Sequence, residues 1–163
     1  GSLVSAPITE LDPAEWDNTL AVNLSSVFYG VRAAARHMKN GGAIVNISTV
    51  GVSADDAGAR FAMYSASKAA IEKYTRSLAV ELGPDGVRVN CVAPGLVATP
   101  RVASQAAARK LATGGQEAKI PLRRLGQASD ITGVVEFLVS DLAGYVTGQC
   151  IRVSGGLELV SAA

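Results

Sequence analysis

Ala43-Ile44-Val45-Asn46-Ile47-Ser48 decides the fold class: it is short, mostly apolar, and bounded by Asn40-Gly41-Gly42 before it and Thr49 after it. Apolar character in succession, as opposed to strict alternation, predicts a strand covered on both faces, the arrangement of a parallel sheet. Two more strands are expected, at Val87-Arg88-Val89-Asn90-Cys91-Val92-Ala93 and from Gln149 to Val153. Pro94-Gly95 turns the chain off the end of the second, and Ser154-Gly155-Gly156 follows the third.

Helical patterns alternate with these strands. Asp12 caps the first, Pro13 takes its first position, and Glu15 completes the spacing of a capping box. Trp16, Leu20, Leu24, Val27, Phe28 and Val31 recur at helical spacing, which predicts one buried face as far as the Asn40-Gly41-Gly42 stop. Asn23 stands among them in mid-helix, where it is either solvated or holds a polar partner. A second helix runs over 62–82 and ends at Gly83-Pro84-Asp85-Gly86. Ser129 or Asp130 caps a third, with Val134, Val135, Phe137 and Leu138 as its apolar core. Residues 101–120 are helical in composition but broken by Gly114-Gly115, and suit either a mobile cover over a site or a surface helical hairpin. Helix and strand in alternation predict an α/β layer on a parallel sheet with right-handed crossovers.

The 163 residues suffice for one domain, 1–163, and a composition 48% hydrophobic and 18% charged is that of a globular chain. A net charge of +1 with both signs interspersed offers no basic stripe for nucleic acid. No apolar run approaches the ~18 residues of a membrane span, so no membrane partner is expected, and a cytoplasmic location is. Cys91 and Cys150, far apart in the sequence, read as buried free thiols of a reducing compartment. His37 has no second ligand at metal spacing, and no metal is expected.

The chemistry concentrates in Tyr64-Ser65-Ala66-Ser67-Lys68 at the start of the second helix. Four residues apart, Tyr64 and Lys68 share a helix face. A free phenol titrates near pH ~10, and an ammonium one turn away favours its ionised form. Such a pair can exchange a proton with an alcohol or a carbonyl, although the bare spacing is common on helix surfaces. In parallel sheets ligands sit beyond the carboxyl ends of the strands. There Ser48-Thr49 offers hydroxyls to a substrate oxygen, and Gly95 lets a flat ligand approach the backbone.

Taken together, these stretches resemble the carboxyl-terminal part of a short-chain dehydrogenase/reductase. The likeness is carried by Trp16-Asp17, Ala21-Val22-Asn23-Leu24, Gly42 to Thr49, Tyr64 to Lys68, Arg88-Val89-Asn90, Pro94 to Thr99, Phe137-Leu138 and Thr147-Gly148-Gln149. It implies a three-layer Rossmann-like parallel sheet, present as its carboxyl-terminal half, with about three strands and long helices. It also implies hydride transfer between NAD or NADP and a secondary alcohol or ketone. By that resemblance Tyr64 is the acid/base, Lys68 lowers its pKa and binds the nicotinamide ribose, and Asn23 holds a water in the proton relay. Thr49 stands where the family usually has serine, with Ser48 as fallback. Pro94, Gly95 and Thr99 hold the nicotinamide, with the backbone of Val97 on its carboxamide. Ser48, Thr49, Val50, Tyr64 and Leu96 meet the small-molecule carbonyl or alcohol substrate, and 100–120 is a lid.

The chain departs from the family pattern in four ways. Thr49 adds a methyl group and a stiffer χ1 at the serine position. The interval from Thr49 to Tyr64 is slightly long. Val153-Ser154-Gly155-Gly156 replaces V-D-G-G, which removes a carboxylate. No Gly-rich phosphate turn occurs, so the adenine and diphosphate half of the cofactor site is expected upstream of residue 1. Strand 43–48 is then expected to expose an edge, satisfied by a homo-oligomer or a complementary amino-terminal fragment, and cofactor binding by this chain is expected to be weak. The alternatives are a catalytically inactive fragment serving as a structural or oligomerising unit, and a dehydratase or epimerase on a related scaffold.

Overall fold

The computed structural model describes residues 2–52, 61–99, 115 and 117–159. Three parallel strands, β1 (Gly42–Ile47), β2 (Val87–Pro94) and β3 (Cys150–Val153), lie side by side in the order β1-β2-β3. β1 pairs with β2 from Gly42↔Val87 to Ile47↔Val92, and β2 with β3 from Cys91↔Cys150 to Pro94↔Val153.

Helix α3 (Ala62–Leu82) covers one face, packing Leu78 and Ala79 against Val87 and Val89. Helix α4 (Ala128–Val139) covers the other, with Leu138 and Ala143 against Val92. Gly86 ends the turn after α3 in the left-handed region (φ 74°), a conformation that suits glycine. No helix among the described residues is long and apolar enough to cross a membrane.

The expected first helix is two: α1 (Pro13–Leu20) and α2 (Ser26–Ala35), joined by a π-helical turn over Ala21–Ser25. Asp12 does cap α1, accepting from the Ala14 N–H. Of the six residues expected to form a buried face, only Val31 is fully buried; Trp16 and Phe28 are 40% and 45% exposed. The π turn shifts the face by part of a turn at Asn23, so no single stripe runs through the segment.

Strand β1 also corrects its reading. Only Asn46 is buried along it, because β2 lies on one side and no described strand on the other. The cap of α4 is Gln127, with Asp130 at the third helical position returning a bond to the Gln127 N–H, so neither Ser129 nor Asp130 is the cap. Leu138 alone of its expected core is fully buried; Val134 and Val135 are half-buried, and Phe137 faces outward. Much of the expected lid, 100–114 and 116, lies outside the described residues, as does 53–60 of the loop before α3. The far end of that segment is anchored by buried Ile120.

Candidate active site

Two strand ends and one helix start meet at the carboxyl edge of the sheet: Ser48-Thr49 after β1, Tyr64 opening α3, and the Pro94-Gly95 turn closing β2. Tyr64 and Lys68, one turn apart on α3, are both half-buried. The Lys68 Nζ donates to the Ile47 carbonyl at 2.9 Å. Gly42 and Ser48 donate their N–H groups toward β2, so by strand alternation the peptide groups of Ile47 face the opposite edge, which no described strand pairs. Lys68 therefore closes the last outward carbonyl of β1. Burial pushes the Lys68 pKa below the ordinary lysine value, and the nearby Cys91 thiol group opposes that fall.

Two latches hold the part of α3 that carries Lys68. On one side lies Asn23, only 2% exposed. Its carboxamide accepts from the Ser2 N–H (2.8 Å) and donates to the Ser2 carbonyl (2.9 Å) and to the Ser67 hydroxyl (3.1 Å). The Ser67 hydroxyl in turn donates a hydrogen bond to the Tyr64 carbonyl at 2.7 Å. The junction of α1 and α2 is thus tied to the opening turn of α3, and of the two readings left open for Asn23 the polar partner is the one observed. On the other side, the Ser48 hydroxyl donates to Glu72 Oε1 at 2.9 Å, and Glu72 is itself nearly buried. Ser48 is committed to α3, whereas Thr49 stands half-buried at the strand tip and Val50 is buried behind it.

The turn after β2 is held as firmly. Gly95 donates its N–H to the Val153 carbonyl. A Cβ on Gly95 would stand 2.8 Å from Ser154 Cα and Cβ, so the packing of the two chain segments accounts for this glycine, a reason different from the ligand approach expected of it. Leu96 and Ala98 bond to the peptide groups of Gly126, and the N–H and C=O of Val97 take no part in that bridge. Thr99 follows, half-buried. Arg124 grips Asp130 by two bonds of 2.7 and 2.9 Å, and that guanidinium, with the Gln127 N–H, holds the Asp130 carboxyl well below the usual carboxylate range.

Ser2, Ser67, Glu72 and Glu158 take part in this framework without having stood out in the sequence. For Ser67 and Glu72 a signal existed: both sit within one turn of Lys68 on α3. For Glu158 there was also one, the carboxylate missing from Val153-Ser154-Gly155-Gly156. The Ser154 hydroxyl donates to the Glu158 carboxylate and accepts from the Gly156 N–H, so a carboxylate returns from four residues downstream. Nothing in the pattern marked Ser2.

A groove of about 380 Å³ runs along the outer edge of β1 under α2, with Val27, Val31 and Ile44 on its walls and Asn23 and Lys68 among its lining. Comparison with known proteins gives this geometry its context. The Enoyl-(Acyl carrier protein) reductase family model matches residues 1–158. A cyclohexanol dehydrogenase of Rhodococcus sp. (strain TK6) is 45% identical over 144 residues, 86% of this chain and 52% of that protein. A 3-oxoacyl-[acyl-carrier-protein] reductase of Pseudomonas aeruginosa is 41% identical over 147 residues, 89% of this chain and 58% of that protein. The solved structure of a short-chain type dehydrogenase/reductase from Mycobacterium ulcerans superposes with a TM-score of 0.89 at 36% identity, over 99% of this chain and 58% of that one. The chain spans little more than half the length of these relatives. With the family match along nearly all of it and the same parallel sheet beneath, it belongs to the short-chain dehydrogenase/reductase family.

Proposed function

We propose that the protein carrying this chain interconverts a secondary alcohol and a ketone, using NAD or NADP, with Tyr64 exchanging the proton. One observation carries the reading: Tyr64 and Lys68 share one face of α3 at the carboxyl edge of a parallel sheet, with the ammonium fixed on the Ile47 carbonyl. Two of the relatives are named for an alcohol and a 3-oxoacyl group, which supports the alcohol/carbonyl class and leaves the substrate open.

The residues fit a nicotinamide. Val97 keeps its N–H and C=O out of the Gly126 bridge, where a carboxamide would meet a complementary donor and acceptor, and Lys68 and Thr99 would hold the rest of that end. The family uses NAD or NADP, and the cofactor when bound supplies or accepts the hydride. The chain's own part is position and proton traffic. Lys68, desolvated and one helical turn from Tyr64, favours the phenolate when the alcohol loses its proton. With Ser48 engaged by Glu72, Thr49 is the hydroxyl that steadies the substrate oxygen. The side chain of Asn23, spent on Ser2 and Ser67, fixes the π turn and the start of α3, and any water in the relay rests on this frame.

Replacing Tyr64 with Phe in the intact protein tests the assignment. Turnover is expected to fall about 10²–10⁴-fold, the size of an acid/base contribution, while cofactor affinity measured by fluorescence titration changes little. Turnover that survives the substitution would take the proton-transfer role away from Tyr64.

A further inference from the structure

Below the candidate site, the chain's two cysteines face each other. Cys91 in the central strand and Cys150 in the neighbouring strand are Cα partners in register, so both side chains project from the same face of the sheet. It is the α3 face, the one that Val87 and Val89 share. Partners on adjacent strands lie about 4.8 Å apart, inside the range of roughly 4.4–6.8 Å across which a disulfide closes. Both are free thiols, Cys91 fully buried and Cys150 half-buried on a strand with no described neighbour beyond it.

We propose that Cys91 and Cys150 form a reversible dithiol–disulfide site, closed by hydroperoxides entering from the Cys150 side. The proton inventory orders the two sulfurs. The Cys150 thiol shares its hydrogen bond with Cys91, and this contact lowers the Cys91 pKa and raises that of Cys150. Burial and the Glu72 carboxylate oppose ionisation of both sulfurs, and on Cys91 the Ser48 backbone and Lys68 act the other way. With Cys150 the sulfur that peroxide reaches and Cys91 its partner across the ladder, the first step falls to Cys150 and the resolving attack to Cys91. In the first step the Cys150 thiol is oxidised to a sulfenic acid and hydrogen peroxide is reduced to water. In the second, the Cys91 sulfur attacks the Cys150 sulfur, the S–O bond breaks, and the hydroxyl leaves as water with the Cys91 proton.

The test is hydrogen peroxide added to the reduced full chain, followed by intact mass, thiol titration and non-reducing peptide mapping. The thiol titre is expected to fall from two to none, with loss of two hydrogens, a peptide linking Cys91 to Cys150 within one chain, and full recovery with dithiothreitol. Dimedone should trap no sulfenic acid in the native sequence, because resolution outruns trapping, and should label Cys150 once Cys91→Ala removes the resolving sulfur. Sulfinic acid on Cys150 beside an intact Cys91 thiol would overturn the proposal. So would bonds only between chains, or thiols that resist peroxide while the chain is folded. The native-sequence mass measurement decides the matter even if Cys91→Ala does not fold.

Discussion

β1 and β2 pair residue for residue over Gly42↔Val87 to Ile47↔Val92, and both are read from apolar stretches, yet β2 is buried along nearly all its length and β1 only at Asn46. The difference lies in what flanks them. β2 has a strand on either side and a helix on each face. β1 has β2 on one side and a groove on the other. Apolar content tells how much burial a strand can bear, whereas the number of neighbours sets how much it receives.

Substitutions can break this contrast. The largest effect is expected beneath the central strand: Leu138→Ala, against Val92, should lower the unfolding free energy by about 2–5 kcal/mol by denaturant titration. A loss as small as that of a surface change would mean that the α4 layer is far looser than its burial indicates. Next comes the bond that gives β1 its one buried side chain. Asn46 donates to the Thr75 hydroxyl at 2.9 Å, and Thr75→Val keeps the shape while leaving one buried amide hydrogen unmatched. This should cost about 1–3 kcal/mol; stability equal to the parent would place Asn46 in contact with water. Smallest of all is Ile47→Ala. At 42% exposure on the free edge it should change stability by no more than about 0.5 kcal/mol. A larger loss would show that something covers that edge in solution.

Much of the framework is legible in the sequence. The second helix is expected at 62–82 and lies at Ala62–Leu82, and the strands fall within a residue or two of their expected ends, because Gly, Pro and apolar runs punctuate the chain locally. The pair Tyr64 and Lys68 could be put on one helix face from spacing alone. What stayed hidden depends on contacts between distant residues. The π turn at Ala21–Ser25 exists around an Asn23 whose partners, Ser2 and Ser67, are 21 and 44 residues away. Cys91 and Cys150 looked remote because sheet register is not written in either strand. Trp16 and Phe28 lie on the apolar stripe and yet face outward, because helical periodicity locates such a stripe without saying what will cover it. Ser154 stands where the family pattern has a carboxylate, and Glu158 brings one to its hydroxyl through a local turn that a motif comparison does not see.

The contact of Gly95 with Ser154 leaves no room for one further carbon between the turn after β2 and the segment that follows β3. Loop grafting has to respect this. A donor turn bearing any side chain at 95 would prise apart the two pieces on which Leu96, Val97 and Thr99 depend, so an engineer must transplant turn and tail as a matched set.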